Sequence, residues 1–161
     1  MAQQNPVLGV GAVTRFTLIL MLMKTIPLWL AVGLAVVASG CGGMFKGKQA
    51  AEQGVAEFHK MYNEGKVAQI YAAGHSKLKG ATPEKDFLEF LGAVQRKLGK
   101  VTQTTTVGFN VRTFNFTTTV DLTQNTTFEQ GTGVETFEFE MAGGKAVLVG
   151  YQINSKDLIL K

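Results

Sequence analysis

Phe114-Asn115-Phe116-Thr117-Thr118-Thr119-Val120-Asp121-Leu122 decides the fold. Phe114, Phe116, Thr118, Val120 and Leu122 alternate with Asn115, Thr117, Thr119 and Asp121, the period-two pattern of a strand with one buried face. Threonine, valine and phenylalanine are the residues that fit a pleated, half-buried surface. Downstream, Phe137, Phe139 and Met141 alternate with Glu138 and Glu140, and Gly143-Gly144 suits the positive φ values of a tight hairpin turn. Ala146 to Ile153 is apolar at nearly every position, which predicts a central strand covered on both faces. Upstream, Val107, Phe109 and Val111 place a further strand within Val101–Val111. Gln124-Asn125 and Gln130-Gly131-Thr132-Gly133 read as the remaining turns, so four or five antiparallel strands are expected.

Before Gly99 the period changes from two to that of a helix. Ala51, Val55, Phe58 and Tyr62 recur at steps of four, three and four, which predicts a helix from about Gln49 with Gly65 as its left-handed stop. A shorter helix is expected over Lys66–Ala73, stopped at Gly74. A third repeats Phe87, Leu91, Val94 and Leu98, with Thr82 as N-cap, Pro83 in the first helical position and Glu84 and Asp86 near the first turn. Arg96, Lys97 and Lys100 at its far end complement the helix dipole, which accounts for this basic cluster without a binding role. Helices first and antiparallel strands after them predict an α+β domain with the helices packed on one face of the sheet.

The chain N-terminal to this domain has another character. Phe16 to Met23 is apolar, Lys24 follows, and Thr25 to Ala38 carries no charge. A basic residue, an apolar stretch and small residues at a cleavage point define a secretory signal, here with its true start at Met21 or Met23. Ala38-Ser39-Gly40-Cys41 resembles the lipobox of bacterial lipoproteins, although Ala38 stands where that family more often has leucine. The resemblance implies acylation of the Cys41 thiol, cleavage between Gly40 and Cys41, and acylation of the new amino terminus. Several acyl chains on one residue make a stable anchor, at about 0.8 kcal/mol per buried methylene. Gly42 lacks the aspartate associated with inner-membrane retention, so the resemblance implies the outer membrane, facing the periplasm. The competing reading is a retained membrane helix over Phe16–Ala38. It would place Lys24 inside the bilayer at about 2.5–3.5 kcal/mol if central, and the charge-free part spans only about 21 Å.

Three parts are expected: a signal segment over residues 1–40, a glycine-rich flexible tether over 41–48, and one α+β domain over 49–161. Of the 16 basic residues only Arg15 and Lys24 precede Cys41, leaving 14 basic against 12 acidic residues, a balance of +2. That balance, without a clustered basic face, argues against a nucleic-acid partner. A lone cysteine cannot form an internal disulfide. Two separated histidines and an acylated cysteine make no metal-ligand cluster, no glycine run has the ending of a phosphate-binding loop, and nothing implies a cofactor.

Phe58-His59-Lys60-Met61-Tyr62-Asn63-Glu64-Gly65, Ile70-Tyr71, Arg96-Lys97-Leu98-Gly99-Lys100-Val101 and the threonine-rich meander resemble small secreted bacterial proteins of the cystatin-like and nuclear-transport-factor-2-like superfamily. The resemblance implies a curved sheet wrapped on a long helix around a conical cavity. It leaves function open, because members range from isomerases and dehydratases to structural modules. The candidate pocket residues are His59, Tyr62, Tyr71 and His75, with Asp121 beside them for acid–base work. His59 lies off the Val55-Phe58-Tyr62 stripe, His75 in a loop and Asp121 on a polar strand face, so surface roles are expected for these three. The function expected is a lipid-anchored, non-catalytic binding or interaction module. Its partners would be the membrane through Cys41, and a small hydrophobic ligand or another envelope protein.

Overall fold

The computed structural model describes the backbone from Leu28 to Leu160 and side chains from Phe45 to Leu160. The signal segment to residue 27 lies outside the described residues, as does the side chain of Cys41. Among the described residues no helix is long and apolar enough to cross a membrane. The chain divides into two units, Met1–Cys41 and Gly42–Lys161; the second carries the fold.

Helix α1 (Leu28–Asn63) is followed by α2 (Val67–Ala73), α3 (Ser76–Ala81) and α4 (Glu84–Leu98). Strands β1 (Val101–Phe114), β2 (Thr117–Phe128), β3 (Gly131–Ala142) and β4 (Lys145–Asn154) come next, and α5 (Lys156–Leu160) closes the chain. The strands form one open antiparallel meander in the order β1-β2-β3-β4. The α+β class and the order of elements thus follow the hydrophobic periods.

The predicted stripe of α1 is the buried one: Ala51, Val55, Phe58 and Tyr62 are each at most 3% exposed. It faces Val120, Leu122, Phe137 and Phe139 on the sheet. Gly54 permits the approach, since a Cβ there would lie 2.9 Å from Cε1 of Phe139. On α4 the expected Phe87, Leu91, Val94 and Leu98 are buried. Helix α4 docks on α1 through Gln95, whose Nε2 donates to the carbonyl of Tyr62 at 2.8 Å. Asn63 then ties the end of α1 to the start of the sheet, accepting from Val101 N at 2.8 Å and donating to Val101 O at 2.9 Å. Gly65, Gly99, Gly143 and Gly144 all take positive φ, as their places at helix ends and in the β3–β4 hairpin require.

Several expectations need correction. The stretch Phe114–Leu122 is not one strand, because the chain reverses at Asn115 and Phe116, with φ of 46° and 62°. Alternation cannot show a reversal made by residues that also fit the pattern. Gln124-Asn125 is not a turn but lies within β2, paired with Glu135 and Val134. Gln124 is buried and bonds Thr104 and Thr106 of β1 at 3.0 Å each, which makes a polar residue acceptable on the core face. The sheet has four strands, the lower of the two numbers expected. Strand β4, expected to be central and covered on both faces, is an edge in which only Leu148 is buried, and α3 packs beside it. Helix α1 does not begin at Gln49. The glycine-rich segment expected as a tether is helical, and Gly47 is buried where a Cβ would lie 3.4 Å from Val120 Cγ2. Thr82 caps the end of α3, and Pro83 takes the N-cap position of α4.

Candidate functional site

The one concentration of buried polar chemistry among the described residues is centred on Glu135. Its place follows from the strand period: Glu135, Phe137 and Phe139 share a face, so the carboxylate enters the core with the phenylalanines. Its Oε2 accepts from Thr126 Oγ1 at 2.5 Å and lies 2.8 Å from His59 Nε2, and its Oε1 accepts from Tyr151 at 2.6 Å. Thr126 comes from the neighbouring strand β2, Tyr151 from β4 and His59 from α1. Glu135 is 1% exposed, Thr126 1% and His59 6%. Among the described residues no buried side-chain nitrogen or oxygen lacks a partner.

Rings close the space around this cluster. Phe58 lies 5.9 Å from His59, 5.1 Å from Phe137 and 4.9 Å from Tyr151, measured between centroids. Phe137 contacts His59 at 5.6 Å and Tyr151 at 5.1 Å. Side chains thus fill the space beside the cluster itself, while a half-open cavity of about 240 Å³ remains between α1 and the β3–β4 hairpin, lined by Gly54, Phe58, Met61, Ile70, Phe139 and Leu148.

Burial pushes the Tyr151 hydroxyl well above its ordinary value, and the Glu135 charge and hydrogen bond push it further. Burial, with the charge of Glu135 second, also raises Tyr62. Both phenols therefore remain protonated donors through the physiological range. Tyr151 and Thr126 both donate to Glu135, and His59 Nε2 lies beside them. A carboxylate on one imidazole nitrogen fixes the tautomer and ring orientation, as in acid–base dyads. Such a dyad acts on a substrate only if the histidine reaches one, and His59 faces the rings of Phe58 and Phe137.

The four candidate pocket residues do not converge. His59 belongs to the Glu135 cluster and is buried, contrary to the surface role expected for it. It stands four residues after Val55 and three before Tyr62, so helical geometry puts it on the flank of the buried stripe. Tyr62 donates to the carbonyl of Gly99 at 3.1 Å, and Tyr71 donates to that of Thr82 at 3.0 Å. Both are buried tyrosines pinning loops. His75 is the N-cap of α3, its Nδ1 accepting from Lys77 N at 3.1 Å. Its Nε2 lies 3.5 Å from Glu140 Oε1, and Lys77 donates to Glu140 Oε2 at 2.6 Å. That hydrogen bond foremost, with the charges of Lys77 and His75, holds the Glu140 carboxyl below its ordinary value. Asp121 accepts from Arg112 Nη2 at 2.8 Å, a surface pair of little energetic weight.

Sequence reasoning missed Glu135, Thr126 and Tyr151. The signal was present: extending the Phe137, Phe139, Met141 alternation back by two reaches Glu135, and extending Val120, Leu122 forward reaches Gln124 and Thr126.

Outside the core, a half-open groove of about 670 Å³ runs past the helical residues Leu78, Phe87 and Phe90 and the strand residues Asp121, Thr136, Glu138 and Gln152. Among the described residues no group of three or more histidine, cysteine, aspartate or glutamate side chains gathers for a metal. No protein-family model matches the chain, and no curated protein or solved structure is significantly similar to it.

Proposed function

We propose that the protein is a lipid-anchored module of the bacterial envelope, held at the outer membrane by acylated Cys41 and acting in the periplasm by binding rather than catalysis. We further read the domain as cystatin-like or nuclear-transport-factor-2-like, with its sheet curved over α1. The helices-then-meander order supports that reading. The observation that carries the non-catalytic reading is the saturated coordination of Glu135. Its partners all come from the chain, and the rings of Phe58, Phe137 and Tyr151 occupy the space a substrate would need. Binding then falls to the outer surface, where the groove past Phe87 and Phe90 offers aromatic and carboxylate groups to a small amphipathic ligand or a protein partner.

Intact-mass analysis of the protein extracted from membranes tests the anchor. The expected species begins at Cys41 and carries the mass of a diacylglyceryl group and an amide-linked acyl chain. An unmodified Cys41 still joined to Gly40 would remove it. Native mass spectrometry of the same preparation tests the binding role, with a co-purified ligand lost in a Phe90→Ser variant as the expected result. A second reading, an isomerase- or dehydratase-type enzyme, draws on the His59–Glu135 pair alone. It requires the aromatic lid over His59 to open, and diethylpyrocarbonate modification of native His59 at the rate of an exposed histidine would favour it.

A further inference from the structure

We infer that the tip of the β1–β2 hairpin lies against the lipid surface, with Phe114 and Phe116 entering the interfacial region of the bilayer to which the chain is tied. The inference rests on the membrane attachment proposed above, though not on its chemistry: an acylated Cys41 brings the bilayer to within four residues of Phe45, and a retained apolar helix over Phe16–Ala38 to within seven.

Helix α1 fixes which end of the domain faces that attachment. Its C-terminal residue Asn63 is bonded to Val101 at the start of β1. Further back, Lys48 Nζ lies 5.5 Å from the Phe109 ring centroid, and Gly47 packs beside Val111 and Val120. The helix therefore runs antiparallel to β1, and toward its N-terminus it approaches the hairpin tip. Phe45 is one half-turn from Gly47, about 3 Å of rise, and Phe114 is three residues beyond Val111, about 10 Å of strand. The four-residue span from Cys41 to Phe45 reaches at most about 14 Å. The attachment point and the tip thus belong to one end.

That end carries apolar surface that the fold does not use. Phe116 is 106% exposed, Phe114 78% and Phe45 72%. The turn itself is costly: Asn115 and Phe116 both take positive φ, a pair of conformations normally given to Asn-Gly. A phenylalanine in the left-handed region with its ring in water is strain without a packing return, and such strain collects at functional positions. The flanking cations contribute little, because Arg112 and Lys77 already pair with Asp121 and Glu140. Ring burial is the dominant attraction, as for other interfacial aromatic anchors.

The test uses the full chain with Trp29→Phe, which removes its only tryptophan, and Phe116→Trp as a reporter. The protein is reconstituted in vesicles of phosphatidylethanolamine with a minority of phosphatidylglycerol, with and without brominated acyl chains. The expected result is a blue-shifted emission quenched by the brominated lipid. In a Cys41→Ser form, Phe114→Ser with Phe116→Gly lowers vesicle affinity on the order of tenfold or more. Vesicle-bound protein whose tryptophan is neither shifted nor quenched would overturn the inference while leaving the anchor intact. Quenching that persists with Cys41 shown to be unmodified would uphold it and dispose of lipidation. A blue shift that tracks protein concentration and dimer sedimentation, without quenching, assigns the tip to a second copy and also overturns it.

Discussion

Glu135→Ala measures what the buried cluster contributes. The substitution removes the acceptor from Tyr151, Thr126 and His59 together. An unsatisfied buried donor costs about 1–3 kcal/mol. The Thr126 hydroxyl can rotate and so escapes the full penalty, whereas the desolvated Tyr151 hydroxyl does not. His59 cannot escape, and a cavity of carboxylate size adds to the loss. Relief from burying a carboxylate offsets part of this, leaving a net destabilisation of about 3 kcal/mol, in line with broken buried pairs. With a urea slope of about 1.5 kcal/mol per molar the midpoint falls by about 2 M. Glu135→Gln, which keeps the shape and one acceptor oxygen but turns an amide donor toward other donors, should lie between. Equilibrium urea unfolding of the purified protein followed by circular dichroism reads both. A loss under about 1 kcal/mol for the alanine variant would refute the claim that this carboxylate is integral to the core.

Phe116→Gly should stabilise the fold by about 0.5–1 kcal/mol, since glycine relieves the left-handed strain at a residue that packs on nothing; an unchanged or lowered melting temperature contradicts the turn geometry. Gly54→Ala should destabilise by about 1 kcal/mol despite alanine's better helix propensity, because its Cβ would meet the buried Phe139 ring at 2.9 Å; a gain in thermal stability would show that α1 does not sit that close. The raised tyrosines set the alkaline limit. A group whose folded value exceeds its unfolded value of about 10 contributes stability that is intact below that pH and is lost as pH rises through the folded value. Melting temperatures should therefore fall above about pH 10 and fall less in Tyr151→Phe, with Tyr62→Phe as a second, smaller case; identical alkaline profiles for all three proteins would exclude these phenols as the cause.

Elements whose side chains split into apolar and polar sets were legible in the sequence. The stripes Ala51-Val55-Phe58-Tyr62 and Phe87-Leu91-Val94-Leu98 identify α1 and α4, and positive-φ glycines mark Gly65, Gly99 and the Gly143-Gly144 turn. The misread polar positions share one physical origin, that polarity does not by itself mean exposure. Gln124-Asn125 reads as a turn and His59 as a helix flank, and Glu135 carries no reading at all, yet Gln124, His59 and Glu135 face inward because each finds partners across the sheet or on α1. Such partners are remote in sequence, 76 residues apart for His59 and Glu135, and no local pattern records them. The hairpin reversal failed for the opposite reason, since Phe114 and Phe116 are apolar and exposed. Periodicity reports burial only where composition and burial agree, and both candidate sites lie where they disagree.

That disagreement suggests what the Glu135 cluster is for. Strand register has a period of two, so a one-residue slip of β3 would turn Glu135, Phe137 and Phe139 to the opposite face. The phenylalanines alone penalise that slip, but a two-residue slip in one direction sets Phe137, Phe139 and Met141 at the positions of Glu135, Phe137 and Phe139 and keeps every one of them apolar. Only the observed register, with Glu135 opposite Gln124 of β2 and Ile153 of β4, sets the carboxylate within reach of His59, Thr126 and Tyr151. Replacing the cluster by Glu135→Leu, His59→Leu and Tyr151→Phe together, which leaves only the rotatable Thr126 hydroxyl, should therefore leave stability unchanged or raise it by about 1–4 kcal/mol, as apolar replacements of buried ionic groups do. Uniqueness should suffer instead. Amide resonances of β3 and β4 in a proton–nitrogen correlation spectrum are expected to broaden or double in the triple variant while those of α4 remain sharp. A triple variant with one sharp set of β3 resonances would separate the cluster from register and leave the two rows of apolar residues as sufficient.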